Sequence, residues 1–246
     1  MKCIKFNISG RYAFFKNPEY NLNSYEYSFE HIHKPALLGI LGAILGFDGK
    51  LQFRKNNKLE YYEKLKSIKI AIEPSDCIFE HFEYDFINGT GYANKGNAQM
   101  IKRMCLYNPL WTIYILEKSI DNSIYDKLYN YLLDHKSIYP IYLGDNSFKA
   151  KVSDVKEVDI VDIDSNNIII NSIFRKKILS DDTIIKLYLP IELEEVSFNY
   201  EYDWFAVSNK EVTINDIKNI YKYNGKNLQF IWFINVNFES NLFGNI

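Results

Sequence analysis

The sequence predicts an α+β fold, and three observations support this prediction. Short segments with strand periodicity alternate with two helical segments over residues 1–155. The remaining residues, 156–246, are again rich in strand patterns. With 47% hydrophobic and 16% aromatic residues, the chain of 246 residues can bury a substantial core. We therefore expect an N-terminal α+β domain over 1–155 and a smaller β-rich unit over 156–246, joined near the acidic stretch DIVDIDSNN.

The order of elements in the first part is distinctive. A strand is predicted where Ile4, Phe6 and Ile8 alternate with polar residues, and it ends near Ser9. A helix follows from about Pro35 to Leu45, since proline at the first helical position loses no hydrogen bond. Strands at 67–72 and 111–116, a helix at 123–135 and a strand at 147–152 complete the series. This order is that of the ferredoxin-like split βαβ arrangement, which RNA-recognition modules (RRM) share.

The β-rich unit is predicted from two patterns. Aromatic residues alternate with polar ones at Phe198, Tyr200, Tyr202 and Trp204, as on a strand with one apolar face. The run LQFIWFINV near the C-terminal end combines β-branched and aromatic residues. Both patterns favour strands over helices.

The first predicted helix contains glycines that lower its intrinsic stability by roughly 0.5 to 1 kcal/mol each relative to alanine. Ala36, Gly39, Ala43 and Gly46 fall on one face at spacings of three and four residues. We expect this face of small residues to lie closely against the sheet. The N-terminus of the helix, at Lys34, is a further candidate site for a phosphate group.

Composition and charge exclude several classes of protein. The net charge is −2, so nothing global indicates a nucleic-acid partner. Residues 151–246 hold 10 Lys and Arg against 15 Asp and Glu, so this part is acidic. Three cysteines at no metal-ligand spacing suit a reducing cytosol. The longest apolar run, residues 35–47, is shorter than the roughly 20 residues that a membrane span needs. We expect a cytoplasmic protein without a metal, a cofactor or a membrane partner.

One segment departs from the acidic average. Between Asn88 and Leu116 the sequence has no acidic residue but contains Lys95, Lys102 and Arg103. Such a segment is either a solvated loop of chance composition or a surface for a polyanion. The residues alone leave both interpretations open.

Several motifs in order resemble the CRISPR-associated Cas five family, which belongs to the RAMP group. These motifs are ISGRYAFFKNP, a polar Tyr/Ser segment, HKPALLGILGAILGF, LYNPLWTIYI and YPIYLGDNSFKAKV. The resemblance covers about residues 1–155 and is greatest to the type I-B branch. It implies a non-catalytic subunit of a type I Cascade surveillance complex that binds and caps the 5′ handle of the guide RNA. The implied partners are the guide RNA, the backbone and large subunits, and target DNA through the complex.

The resemblance also implies a thumb insertion, which maps to about residues 80–108 and contains the acid-free segment. Cations there can neutralise phosphates, and tyrosines can stack on unpaired bases. The candidate RNA-binding residues share these chemistries or lie in turns where backbone can approach RNA: Arg11, Tyr12, Lys16, Lys34, Tyr92, Lys95, Lys102, Arg103, Tyr107, Gly144 and Ser147.

The alternative is a metal-independent endoribonuclease that processes CRISPR repeat RNA, because one branch of the family cleaves this RNA. Such cleavage requires a proton acceptor and a proton donor at the scissile phosphate. The candidates at neutral pH are the histidines His31, His33, His81 and His135. None lies in a context that matches the nuclease branch, so we expect no enzymatic activity.

Overall fold

The computed structural model describes residues 1–20, 24–50, 53, 58–94, 96–163, 167–176, 185–195, 197–214 and 219–231. Within these ranges the helices are α1 (Lys34–Leu45), α2 (Glu60–Leu65) and α3 (Asn122–Leu133). The strands of the first part are β1 (Lys2–Ser9), β2 (Tyr12–Ala13), β3 (Tyr25–Tyr27), β4 (Ile70–Pro74), β5 (His81–Asn88), β6 (Gln99–Tyr107), β7 (Leu110–Leu116) and β8 (Lys151–Asp159). Those of the second part are β9 (Val161–Asp162), β10 (Asn167–Ile169), β11 (Phe174–Arg175), β12 (Ile185–Leu193), β13 (Tyr200–Val207), β14 (Glu211–Thr213), β15 (Ile220–Tyr223) and β16 (Lys226–Gln229).

The central sheet confirms the predicted α+β fold. Its strand order is β4, β7, β1, β8, and every neighbouring pair is antiparallel. With α1 after β1 and α3 after β7, this is the ferredoxin-like order expected from the sequence. The predicted first strand and both predicted helices lie where the sequence placed them, within two residues at each end.

The last strand of this sheet lies further along the chain than the sequence indicated. β8 begins at Lys151, not at residue 147, because the residues before it form a turn. In that turn the Leu143 and Phe148 backbones are hydrogen-bonded at 2.8 Å, and the Phe148 N–H donates to the Asp145 carbonyl at 2.9 Å. The strand continues to Asp159, beyond position 155 at which the sequence placed a domain boundary.

The two faces of the central sheet pack against different layers. Ile4, Phe6 and Ile8 of β1 are fully buried in one cluster with the helix residues Leu41 and Leu128. Side chains of successive strand residues point to opposite faces, so the intervening residues lie on the other side. There the buried side chains pack against the β15–β16 hairpin; they are Cys3, Ala71, Tyr114 and Leu116 of the sheet, with Tyr221, Leu228 and Phe230.

A long hairpin of β5 and β6 stands between β4 and β7, in the segment where a thumb insertion was expected. β5 pairs antiparallel with β6 from His81–Leu106 to Asn88–Gln99. On the opposite edge of β6, β2 pairs antiparallel and β3 pairs parallel. The hairpin is therefore fixed at its base by chain segments that precede α1.

The environment of α1 corrects the prediction for its small residues. A Cβ atom added at Gly39 would meet nothing within 4 Å, and Ala36, Ala43 and Gly46 are only half-buried. The expectation that this face lies against the sheet is wrong. The close approach occurs instead at Gly42, where an added Cβ would lie 2.5 Å from the Tyr61 Cβ of α2. The larger Leu and Ile side chains of α1 fill the core, whereas the small residues are half-buried: Ala36 packs at the margin of the core, and an added Cβ at Gly46 would lie 2.9 Å from Ile138.

The strands of the second part pack against the first part. Leu187 and Leu189 of β12 and Phe205 of β13 belong to the same buried cluster as α1. β13 is the centre of a three-stranded sheet with β11 and β12, and β12 is an edge strand of this sheet. In the portion of the chain that is described, no helix is long and apolar enough to span a membrane.

Candidate nucleic-acid interface

An open groove lies at one end of the central sheet, where β1 ends and β7 and β8 begin. Its lining consists of Ser9, Gly10, Arg11, Tyr107, Asn108, Pro109, Leu110, Lys149, Ala150 and Lys151. The antiparallel strands β7, β1 and β8 bring these residues together, because Ser9 of β1 pairs with both Leu110 of β7 and Lys151 of β8. Among the described residues that line the groove, none is acidic.

The cations of the groove are Arg11, Lys149 and Lys151. All three are exposed, and within the described ranges none of them forms an ion pair. The Arg11 guanidinium carbon lies 5.4 Å from the centroid of the Tyr12 ring, a cation–π contact that leaves its N–H groups free for a ligand. The groove therefore concentrates positive charge on a chain whose net charge is negative.

Tyr12 and Tyr107 stand in an aromatic cluster beside the groove. The Tyr12 ring centroid lies 4.9 Å from that of Phe82, 5.8 Å from that of Tyr107 and 5.7 Å from that of Phe148. Both tyrosines are half-buried, so part of each ring contacts solvent. The cluster joins β2, the hairpin and the turn before β8, and Tyr107 also lines the groove.

The turn that contains Gly144 and Ser147 packs against the segment after β2. Gly144 has a φ of +82°, and an added Cβ would lie 1.9 Å from the Phe14 carbonyl oxygen. The glycine is therefore required by the fold of the turn. Ser147 is exposed, and its backbone N–H donates to Oδ1 of Asp145 at 2.9 Å.

Arg103 points into the protein, towards two carboxylates. Its Nη2 lies 2.5 Å from Oε2 of Glu26, and its Nη1 lies 2.7 Å from Oδ2 of Asp145. Nη1 also donates to the Tyr84 hydroxyl at 3.2 Å, and the guanidinium carbon lies 4.3 Å from the Phe14 ring centroid. These contacts hold the guanidinium, which sequence reasoning had assigned to RNA phosphates.

Lys16 and Lys102 form ion pairs nearer the surface. Lys16 Nζ lies 2.6 Å from Oε1 of Glu26, and Lys102 Nζ lies 3.1 Å from Oε1 of Glu83. Both lysine side chains remain more than one third exposed. The Lys102–Glu83 pair is exposed on both sides, so a phosphate can compete for Lys102, whereas the carboxylate that pairs with Lys16 is largely buried.

The structure contradicts the expectation that Lys34 binds a phosphate at the N-terminus of α1. Lys34 is buried, and its Nζ donates to the Lys66 carbonyl at 2.9 Å. Burial lowers the pKa of this amine to about 7. The helix terminus is closed by His33, whose Nδ1 accepts from the Ala36 N–H at 3.3 Å.

Two predicted residues have no described side chain. Lys95 lies outside the described residues. Tyr92 lies in the 3₁₀ segment Gly89–Asn94 at the tip of the hairpin, where the side chains of residues 92–94 are also outside the description.

His31 and His33 have structural roles. The Trp111 Nε1–H donates to Nδ1 of His31 at 3.3 Å, so the Nε2–H of His31 donates to the Cys77 carbonyl at 2.9 Å. Burial lowers the pKa of His31 to about 4 and that of His33 to about 3. Both imidazoles are therefore neutral at pH 7, and both side chains are buried. Among the described residues, no three His, Cys, Asp or Glu side chains form a cluster that could hold a metal ion.

Sequence reasoning missed Lys149 and Lys151, although they lie in the motif YPIYLGDNSFKAKV. They flank the buried Ala150, so strand alternation places both on the side away from the core. The signal was present in the pattern Lys-Ala-Lys. The acid-free segment of the hairpin is the more obvious concentration of positive charge in the sequence.

The comparisons with known proteins give the fold. No protein-family model matches the sequence, and no curated protein matches it. The structure is similar to that of a CRISPR protein from Archaeoglobus fulgidus, with a TM-score of 0.51 and 12% identity over 93% of this chain and 98% of that chain. It is also similar to a chain of a CRISPR RNA-guided surveillance complex, with a TM-score of 0.51 and 13% identity over 87% of this chain and 92% of that chain. At this identity the similarity shows a shared fold.

Proposed function

We propose that this chain is a non-catalytic subunit of a type I CRISPR surveillance complex, of the type I-B Cascade class, and that it holds the 5′ handle of the guide RNA. The observation that carries the proposal is the groove at the end of the central sheet. There Arg11, Lys149 and Lys151 surround Gly10 without an acidic neighbour among the described lining residues.

The geometry of the groove suits a single strand of RNA. Three cations without an ion-pair partner in the described ranges can each replace counterions along a phosphate backbone. The side chain of Tyr107 offers part of a ring to an unstacked base, and Asn108 offers hydrogen bonds to a sugar or a base edge. A groove with mixed cationic and aromatic lining is the usual design for single strands.

The shared fold supports the same assignment. Two solved chains with this fold are CRISPR proteins, and one of them belongs to an RNA-guided surveillance complex. The β5–β6 hairpin lies where the family resemblance places the thumb. We propose that Lys16, Lys102, Tyr12 and the turn at Gly144 and Ser147 flank the RNA. The proposed partners are the backbone and large subunits, and target DNA through the complex.

Handle binding tests the proposal directly. The affinity of the purified chain for its own repeat-derived handle RNA is measured by fluorescence anisotropy at several salt concentrations. The double variant Arg11→Glu with Lys151→Glu should bind at least tenfold more weakly. It should also show a shallower salt dependence, by about 0.7 in log–log slope for each phosphate that the variant no longer neutralises.

A matched variant controls for net charge. Lys118→Glu with Lys210→Glu makes the same change in charge at two exposed lysines that do not line the groove. If both double variants bind alike, the groove does not hold the RNA. If the wild-type chain has no preference for the handle over an unrelated single strand of equal length, the proposed function is wrong.

The nuclease alternative is tested with the same RNA. His31 and His33 serve the core and the cap of α1, which leaves His81 and His135 as the histidines that substrate could reach. We expect the purified chain to leave its repeat RNA intact in EDTA and in magnesium. Cleavage by the wild type that is lost in His81→Ala or His135→Ala would make the chain an endoribonuclease.

A further inference from the structure

An ion pair joins the two chain segments that lead into opposite parts of the groove lining. Arg103 lies in β6, four residues before Tyr107. Asp145 lies in the turn before β8, four residues before Lys149. Nη1 of Arg103 donates to Oδ2 of Asp145 at 2.7 Å, and Tyr107 and Lys149 both line the groove. One contact therefore links the part of the lining that follows β6 to the part that follows the turn.

The Arg103 guanidinium is a fixed point for this link. Two of its nitrogens donate to Glu26 of β3, at 2.8 Å and 2.5 Å. Its central carbon lies 4.3 Å from the ring centroid of Phe14 and 4.6 Å from that of Phe86. Because these contacts hold the guanidinium from several sides, it can hold the Asp145 carboxylate in turn.

Asp145 organises the turn with both of its carboxylate oxygens. Oδ1 accepts the Ser147 N–H at 2.9 Å, and Oδ2 accepts the bond from Arg103. The Asp145 backbone carbonyl accepts the Phe148 N–H at 2.9 Å, which closes the turn directly before Lys149. An aspartate that bonds the backbone two residues further on is common in turns, and this explains Oδ1. It does not explain why Oδ2 is bound to an arginine of the hairpin.

The turn determines where the Lys149 cation lies. The Lys149 backbone fits closely against the end of β1, because a Cβ atom added at Gly10 would lie 3.0 Å from the Lys149 carbonyl oxygen. The Lys149 side chain is exposed, so the position of its ammonium group depends on where the turn places this backbone. A turn that is released from Arg103 would let the cation move away from the groove.

The charge of Asp145 by itself has the opposite effect on RNA. Although burial raises it, hydrogen bonds from Ser147 and the nearby Arg103 hold the pKa of the Asp145 carboxyl below its ordinary value of 3.8. The carboxylate is therefore negative at pH 7. By charge alone it would repel a phosphate in the neighbouring groove.

We propose that Asp145 is a positioning residue for RNA: bound to Arg103, it keeps the turn where Lys149 meets a phosphate in the groove. The inference rests on the proposed function, because it takes the groove as the site of the handle RNA. It assigns to Asp145 an effect on RNA binding opposite in sign to that of its charge.

A double-mutant cycle with Lys149 separates positioning from stability. Handle-RNA affinity is measured by fluorescence anisotropy for the wild type, Asp145→Asn, Lys149→Ala and the double variant. Asp145→Asn keeps an oxygen for the Ser147 N–H but removes the negative partner of Arg103. It should weaken binding at least threefold and make the log–log salt dependence shallower by about 0.7, the loss of one phosphate contact. In the Lys149→Ala background the same substitution should not weaken binding, because the residue through which it acts is gone.

Two controls accompany the cycle. Asp126→Asn makes the same change in charge at an exposed residue of α3 that does not line the groove, and its affinity should stay within twofold of wild type. Near-UV circular dichroism at the assay temperature gives the folded fraction of each variant. If Asp145→Asn does not fold, Asp145→Glu takes its place in the cycle, since it keeps the charge but moves the carboxylate by one methylene group.

The outcomes distinguish this inference from the proposed function. A loss of affinity that requires Lys149 supports the positioning role. If the wild type prefers its handle RNA but Asp145→Asn binds this RNA as tightly or more tightly, the positioning role fails alone. If the substitution weakens binding equally in both backgrounds, Asp145 has a structural role only and the inference is wrong. If the wild type shows no preference for the handle RNA, the proposed function fails and this inference fails with it.

Discussion

Arg103 donates two hydrogen bonds to one oxygen of Glu26, from Nε at 2.8 Å and from Nη2 at 2.5 Å. The side chains are only 14% and 11% exposed. A third bond, from Nη1 to Asp145, ties the same guanidinium to the turn before β8. Charge-assisted bonds of this kind are stronger than neutral ones, so this network fastens the base of the β5–β6 hairpin to β3 and to the turn.

The first prediction is that Arg103 matters for stability. Arg103→Ala removes two hydrogen bonds from the partly buried carboxylate of Glu26 and one from that of Asp145, which costs about 3 kcal/mol of unfolding free energy. Lys102→Ala removes the neighbouring, exposed ion pair with Glu83 and should lower the stability far less, because solvent screens this pair. Urea denaturation of both variants measures the difference. Equal stabilities would show that the Arg103 network does not hold the hairpin.

The second prediction concerns the loss of stability at low pH. Burial alone would raise the pKa of the Glu26 carboxyl, but hydrogen bonds from Lys16 and Arg103 hold the pKa below its ordinary value of 4.5. Asp145 is likewise held below 3.8 against the effect of burial, by hydrogen bonds from Ser147 and by Arg103. A carboxyl whose folded pKa is depressed stabilises the fold above its unfolded pKa and loses this contribution as the pH falls through the folded value.

We therefore expect the urea midpoint to fall as the pH drops below about 4.5. The Glu26→Gln variant should be less stable than the wild type at pH 7. Its stability should fall less than that of the wild type between pH 7 and pH 3. Equilibrium unfolding at pH 7, 5, 4 and 3 checks both statements. A wild type and a Glu26→Gln variant with parallel pH profiles would contradict the assignment.

The fold of the first part was predictable because its signals are local. The alternation of Ile4, Phe6 and Ile8 and the helix start at Pro35 are each set by neighbours in sequence, and both are confirmed. β8 begins at Lys151 and not at the predicted residue 147, because Ser147 and Phe148 belong to a turn whose shape depends on Gly144. That turn is held against Phe14, far away in the sequence, and no local pattern reports this contact.

The candidate site was harder to predict, because the sequence shows which charges are neighbours along the chain but not which are neighbours in the folded protein. The acid-free segment suggested free cations, but β6 pairs with β5 and β3, which supply Glu83 and Glu26. Glu26 lies 77 positions from Arg103 in the sequence, so only the strand pairing reveals that the arginine is neutralised. Lys149 and Lys151 lacked such partners among the described residues, and only the meeting of three strand ends joins them to Arg11.

The third prediction concerns the glycines of α1. Gly42 faces α2, and an added Cβ would lie 2.5 Å from the Tyr61 Cβ, which real Cβ contacts do not allow. Because both atoms lie next to the backbone, α1 or α2 must move. Gly42→Ala should therefore lower the unfolding free energy by about 1 to 3 kcal/mol.

Gly39 provides the matched control in the same helix. Nothing lies within 4 Å of its added Cβ, so Gly39→Ala should raise the unfolding free energy, by up to about 1 kcal/mol, through helix propensity. Gly39→Leu should also be tolerated, because the position is half-buried with open space beside it. Thermal melts of Gly42→Ala, Gly39→Ala and Gly39→Leu rank the stabilities of the three variants. A destabilised Gly39→Leu together with a harmless Gly42→Ala would contradict this prediction. It would mean that the small residues of α1 pack against the core and that α1 does not contact α2 at Gly42.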